Sequence, residues 1–163
     1  MAKNKEEKTN VMRVLEQKKI AYTAHTYPHE EGMAVDGVTV AKSMGFAPAI
    51  VFKTLVARGA SKQYYVFDVP VAENLDLKKA AKAVGEKSIE MIHQKELLPL
   101  TGYVHGGCSP VGMKKLFPTV FHETAENLET MIVSAGKIGY QVELAPHDLA
   151  ALVRAKFADI IVE

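Results

Sequence analysis

Tryptophan is absent from this chain, and among its 163 residues cysteine occurs once, at Cys108. A single thiol cannot close an intramolecular disulfide, so the fold is expected to have no covalent cross-link, as suits a reducing compartment. Long apolar runs are also missing, since no stretch approaches the roughly 18 residues of a spanning helix. The opening Met-Ala-Lys-Asn-Lys-Glu-Glu-Lys is charged and lacks the apolar region of a secretion signal. A soluble, cytoplasmic protein with no membrane attachment is the expectation. Charge of one sign is scarce: 20 basic residues face 19 acidic ones, which excludes the broad positive field of a protein that grips a long duplex. The pairs Lys18-Lys19, Lys78-Lys79 and Lys114-Lys115 read as solvated faces that could still guide one end of an RNA. Neither a P-loop nor a G-x-G-x-x-G fingerprint occurs, and there is no repeat or low-complexity segment. What remains is 48% hydrophobic, enough for the core of one domain over residues 1–163.

Periodicity and punctuation give the elements. Val11, Val14, Leu15 and Ile20 follow helical spacing behind Asn10 as N-cap, and the chain before Thr9 is expected to fray. Residues 20–27 are rich in strand formers, stop at Pro28 and lead into a polar loop that runs to Gly37. A helix over 38–44 starts from Asp36 or Gly37 and ends at Gly45. Strands over 50–57 and 63–71 flank a turn at 58–62, which makes a hairpin. Asp76 caps a helix over 77–84 that stops at Gly85. Further strands are expected over 88–92, 103–105, 117–122, 131–134 and 139–144, with helices over 93–98, ended by Pro99, and over 146–153. Frequent hairpin spacing and irregular alternation point to an α+β fold with a mixed, largely antiparallel, partly barrel-like sheet and surrounding short helices.

Two stretches carry candidate chemistry. Lys53 sits in Ile50-Val51-Phe52-Lys53-Thr54-Leu55-Val56, a run apolar on both alternating faces. A charge there requires an anion or a wet cavity, unless the face is open and the lysine snorkels. The segment from Thr101 to Gly112 has four glycines, and Gly106 and Gly107 could turn backbone N–H groups toward an oxyanion or phosphate, or simply form a turn. Cys108 beside His105 has no protease-like signature around it and reads as a small buried residue. His25 and His29 straddle a strand end and Pro28, which does not suit a metal pair.

His25-Thr26-Tyr27, Val51-Phe52-Lys53-Thr54-Leu55, Leu75-Asp76-Leu77-Lys78-Lys79-Ala80-Ala81-Lys82, Thr101-Gly102-Tyr103 with Gly106-Gly107 and Ser109-Pro110, Val133-Ser134-Ala135-Gly136-Lys137 and Ala155-Lys156-Phe157-Ala158-Asp159 together resemble the YbaK family. Its members are free-standing relatives of the editing domain of bacterial prolyl-tRNA synthetases, and the resemblance covers nearly all of the chain. It implies a trans-acting aminoacyl-tRNA deacylase that clears cysteine mischarged on tRNA(Pro), and cysteine from tRNA(Cys) as a wider range. It also implies no metal or other cofactor, the 3′ end of the mischarged tRNA as partner, and recruitment by prolyl-tRNA synthetase. Lys53 corresponds to the residue most needed for activity, and Tyr27 and Gly106 to residues lining the substrate site. Thr54, Gly107, Ser134 and Asp36 complete the expected substrate-binding set. The implied mechanism has the substrate's own thiol attack its ester carbonyl to give a cyclic thiolactone.

Two departures from the family pattern bear on substrate range. Asp36 aligns where close relatives often carry phenylalanine, and Gln141 where some carry aspartate. Asp36 could meet a substrate ammonium or only cap the helix behind it. The competing functions are a deacylase for another small aminoacyl-tRNA, such as alanyl-tRNA(Pro), and a non-catalytic module that binds tRNA or the synthetase.

Overall fold

The computed structural model describes residues 8–163, so the expected fraying before Thr9 falls almost wholly outside the described residues. Helix α1 (Asn10–Gln17) buries Val11, Met12 and Leu15, and its N-cap is Thr9, whose hydroxyl accepts from the Met12 N–H. The cap therefore falls one residue before the expected Asn10. After β1 (Thr23–Thr26) and the loop, α2 (Gly37–Met44) is capped by Asp36 and closed by Gly45 at φ 81°. That left-handed backbone suits a residue without Cβ. Strands β2 (Phe52–Gly59) and β3 (Tyr64–Pro70) form the expected hairpin, with Lys62 at φ 79° in its turn. Helix α3 (Leu77–Val84) hangs from the Asp76 carboxylate, which accepts from the N–H groups of Lys78 and Lys79.

Beyond β4 (Ile89–Met91), helix α4 (Gln94–Thr101) runs through Pro99 instead of ending before it. The missing proline N–H frees a carbonyl at exposed Lys95, where water can take it, and the helix stops one turn later at Gly102, φ 89°. The strand expected over 103–105 does not form. Tyr103 is instead drawn into a folded loop, its N–H donating to Thr101 Oγ1 and its hydroxyl donating to the Val111 carbonyl at 2.5 Å. The remaining strands and α-helix are β5 (Thr119–His122), β6 (Met131–Ser134), β7 (Tyr140–Leu144), α5 (Pro146–Val153) and the unanticipated β8 (Lys156–Ala158), and short 3-10 turns occupy Pro48–Ile50 and Glu123–Asn127.

The strands form a three-stranded sheet, β1-β7-β6, and a five-stranded sheet, β4-β2-β3-β5-β8. Pairing is antiparallel except at β3–β5 and β5–β8, so the arrangement is mixed and largely antiparallel. One parallel bridge, Val51 to Ile132, ties the sheets together, and no closed barrel forms among the described residues. A core cluster draws on both sheets and on α1 and α5, with Leu15, Phe52, Phe121, Val133 and Leu149 buried in it. A second cluster packs α3 through Ala80 and Ala81 onto Phe67, Val69 and Ile160. No helix among the described residues is long and apolar enough to cross a membrane.

Candidate active site

Strand β2 has two different halves. From Ala57 to Gly59 its outer edge pairs with β4, and at Val51 the chain bridges Ile132, but no strand of the described residues takes that edge in between. A cavity of about 350 Å³ opens where β2 and β6 diverge. Its walls come from the bare half of β2, the loop before α2, the glycine loop after α4, and β6 and β7.

Lys53 lines this cavity and is partly exposed, so the charge in an apolar run has a wet outlet. Desolvation lowers its pKa, while the carboxylates of Asp36 and Glu73 pull it back up. Lys53 is also the single lysine or arginine among the lining residues, so any anionic or developing negative charge brought here meets this ammonium.

Asp36 lies at the rim with its cap intact, Oδ2 accepting from the Thr39 N–H at 3.1 Å and from the Thr39 hydroxyl at 3.0 Å. Those bonds, followed by the distant pull of Lys53, hold its carboxyl below the usual value. The cap and the cavity position coexist. Tyr27 is buried, its N–H donates to the Gly139 carbonyl at 3.0 Å, and burial raises its phenol. Ser134 and Gln141 are register partners on β6 and β7 and together form a polar wall. Gln141 Oε1 is buried without a hydrogen-bond partner among the described residues.

Gly106 has φ 90°, and a Cβ there would stand 2.7 Å from Ala34 Cβ. This glycine lets the two loops forming one end of the cavity touch. Gly107 does not line the cavity. It packs against the backbone of Lys137 and Ile138, which a Cβ would approach to between 3.0 and 3.3 Å. Of the expected site residues, Lys53, Tyr27, Thr54, Asp36, Gly106 and Ser134 therefore meet in one cavity, and Gly107 supports it from behind.

Cys108 lines the cavity floor, but burial, reinforced by the Asp68 carboxylate, pushes its thiol up to about 12. It is a protonated thiol at neutral pH, not an activated nucleophile. His25 Nε2 bonds Glu143 at 2.8 Å and His29 Nδ1 bonds the Tyr27 carbonyl at 3.1 Å, so the two rings have separate structural partners. Asp68 escaped the sequence reading. It is fully buried, bonds Thr54 across the hairpin, and gave the same signal as Lys53, a charge within an apolar strand.

The model of the aminoacyl-tRNA editing domain matches residues 29–152. This chain belongs to the aminoacyl-tRNA editing domain family. The editing domain is 46% identical over 161 residues, 98% of each chain, to a protein of Enterococcus faecalis named "Putative Cys-tRNA(Pro)/Cys-tRNA(Cys) deacylase EbsC". Among solved structures it is similar to one described as "a putative trans-editing enzyme for prolyl tRNA synthetase", with a TM-score of 0.79 and 25% identity, covering 94% of this chain and 95% of that one. A hypothetical protein, 18% identical and covered over 93% of this chain and 99% of its own, shares the editing-domain fold with a TM-score of 0.82.

Proposed function

We propose that this chain is a trans-acting aminoacyl-tRNA deacylase that removes cysteine mischarged on tRNA(Pro), with cysteinyl-tRNA(Cys) as a second substrate. Family membership and the name of the Enterococcus relative support the class of reaction. The observation that carries the mechanism is a cavity holding one ammonium, that of Lys53, beside a cysteine whose thiol stays protonated. Such a site suits a substrate that brings its own nucleophile.

In this reading the terminal aminoacyl-adenosine enters beside the bare half of β2. The substrate sulfur attacks its own carbonyl carbon, the C–S bond forms as the ester C–O bond breaks, and the thiol proton ends on the departing ribose hydroxyl. Ring closure through sulfur, Cβ, Cα and the carbonyl carbon gives a four-membered thiolactone. That ring is strained, so holding the reacting groups in line and stabilising charge near the carbonyl are both required of the protein. Lys53 supplies the positive charge, and Tyr27, Ser134 and the Gly106 loop shape the space around the aminoacyl group. Proline and alanine have no thiol, so selectivity does not depend on a pocket that resolves a methylene, worth only about 1–3 kcal/mol.

Prolyl-tRNA synthetase is the proposed recruiting partner. The near-balanced charge of the chain allows few phosphate contacts and so gives little hold on tRNA by itself. The deciding experiment is deacylation of cysteinyl-tRNA(Pro) by wild type and Lys53→Ala, with the first product identified by mass at early times. Thiolactone from wild type and a loss of about a hundred-fold or more in the variant are expected. Free cysteine as the first product would overturn thiol attack, and no release by either protein, with or without synthetase, would overturn the deacylase reading.

A further inference from the structure

Asp68 is fully buried in the middle of β3, directly opposite Thr54 on β2. Its Oδ1 accepts from the Thr54 hydroxyl at 2.5 Å, and its Oδ2 has no hydrogen-bond partner among the described residues. A buried carboxylate normally has several donors around it. Among the described residues this one has a single donor, and that donor sits on the cavity wall next to Lys53 in the strand.

A threonine hydroxyl has one proton and two lone pairs, and a free one rotates to serve a donor or an acceptor equally. An ionised carboxylate only accepts, so it fixes the Thr54 proton on the side away from the cavity and leaves the lone pairs of Oγ1 for the other side. We propose that Asp68 is a positioning residue that makes Thr54 an obligate hydrogen-bond acceptor, selecting an aminoacyl group with a donor, its ammonium or its thiol, at that point of the cavity. The inference rests on the deacylase reading and names a specificity element within it.

Burial raises the Asp68 carboxyl to about 7, opposed by the Thr54 bond, and the ionisable side chain that faces it is the protonated thiol of Cys108. Above that pH the carboxylate enforces the acceptor state; below it, the carboxyl acquires a proton of its own and the constraint on Thr54 relaxes.

The test is kcat/KM for cysteinyl-tRNA(Pro) from pH 6 to 8.5 with wild type, Thr54→Val, Thr54→Ser, Asp68→Asn and the Asp68→Asn/Thr54→Val double variant. Thr54→Val should lose about ten-fold or more, the scale of a hydrogen bond to a charged or reacting group, and Thr54→Ser should recover most of it. The ratio of wild type to Asp68→Asn cancels the titration of the substrate's own amine and thiol, and should rise through about pH 7. In the Thr54→Val background Asp68→Asn should change nothing further. An equal loss in both backgrounds would mean that Asp68 only supports the fold, and would overturn the inference. Should Asp68→Asn fail to fold, the ratio of wild type to Thr54→Val carries the test: a rise through pH 7 supports the proposal and a flat profile overturns it. Absence of turnover by wild type would remove the deacylase reading and this inference with it, whereas turnover with additive losses removes the inference alone.

Discussion

Replacing Asp68 by asparagine should change how stability depends on pH. Folded, the carboxyl holds its proton up to about 7; unfolded, it releases it near the ordinary aspartate value of 3.8. Between those values the unfolded chain binds fewer protons than the folded one, so this group makes stability fall as pH rises. Below the lower value it contributes nothing, and above the upper one its full cost is in place. A gap of about three pH units corresponds to about 4 kcal/mol. Asparagine keeps the shape and can meet the Thr54 hydroxyl through either its amide oxygen or its NH₂, so it does not fix the direction of that bond. Whichever amide atom takes the place of Oδ2 is left without a partner, at a cost of about 1–3 kcal/mol at every pH. Asp68→Asn should therefore be less stable than wild type near pH 4 and gain on it by about 4 kcal/mol by pH 8, overtaking it on the way. Urea unfolding at half-unit pH steps measures the difference, and subtracting wild type cancels the opposite slopes of Glu143 and Asp159, whose pKa values are lowered by their bonds. A difference that stays constant from pH 4 to 8 would refute an unpaired, desolvated carboxyl at this position.

Gly106→Ala combines a left-handed φ of 90° with a 2.7 Å approach to Ala34 Cβ, and should cost about 2 kcal/mol in denaturant unfolding and impair deacylation as the loop before α2 is displaced. Gly45→Ala, at φ 81° with open space around it, isolates the backbone cost at about 1 kcal/mol and should leave turnover intact. Asp36→Ala should lose about 1 kcal/mol through the uncapped α2, and Asp36→Asn should restore it because an amide oxygen also caps; an asparagine variant as unstable as the alanine one would contradict the cap seen at Thr39.

Local signals were legible and distant ones were not. The Asp36 and Asp76 caps, the Gly45 and Gly85 stops and the β2–β3 hairpin all depend on residues within a few positions of one another, so spacing alone revealed them. Pro99 misled because its consequence depends on whether the freed carbonyl is wet, which is a tertiary fact. Tyr103 looked like a strand residue until its hydroxyl found Val111, and β8 exists because β5 offers it a parallel edge. Within the site, Lys53 announced itself as a charge without an outlet. Gly106 stood out through its glycine-rich segment, Tyr27 and Ser134 came forward through family likeness, and only the fold could bring residues from both sheets to one cavity. Gly107 belonged to the same motif, yet its missing Cβ serves packing against residues 137 and 138.

The pairing of β1 with β7, Thr23 with Glu143, spans most of the chain, and the parallel contacts of Val66 with Thr119 and of Val120 with Lys156 also join residues far apart in sequence. Each requires a long loop to close before any pairing energy is returned, so folding should be slow for a protein of this size and should belong with non-local β topologies. During synthesis, Lys53 and Thr54 leave the ribosome long before Ser134 and Gln141 exist to face them. Most of the lining residues, Cys108 included, precede that polar wall in the chain, so competence should arrive in a late step when β6 and β7 close the cavity.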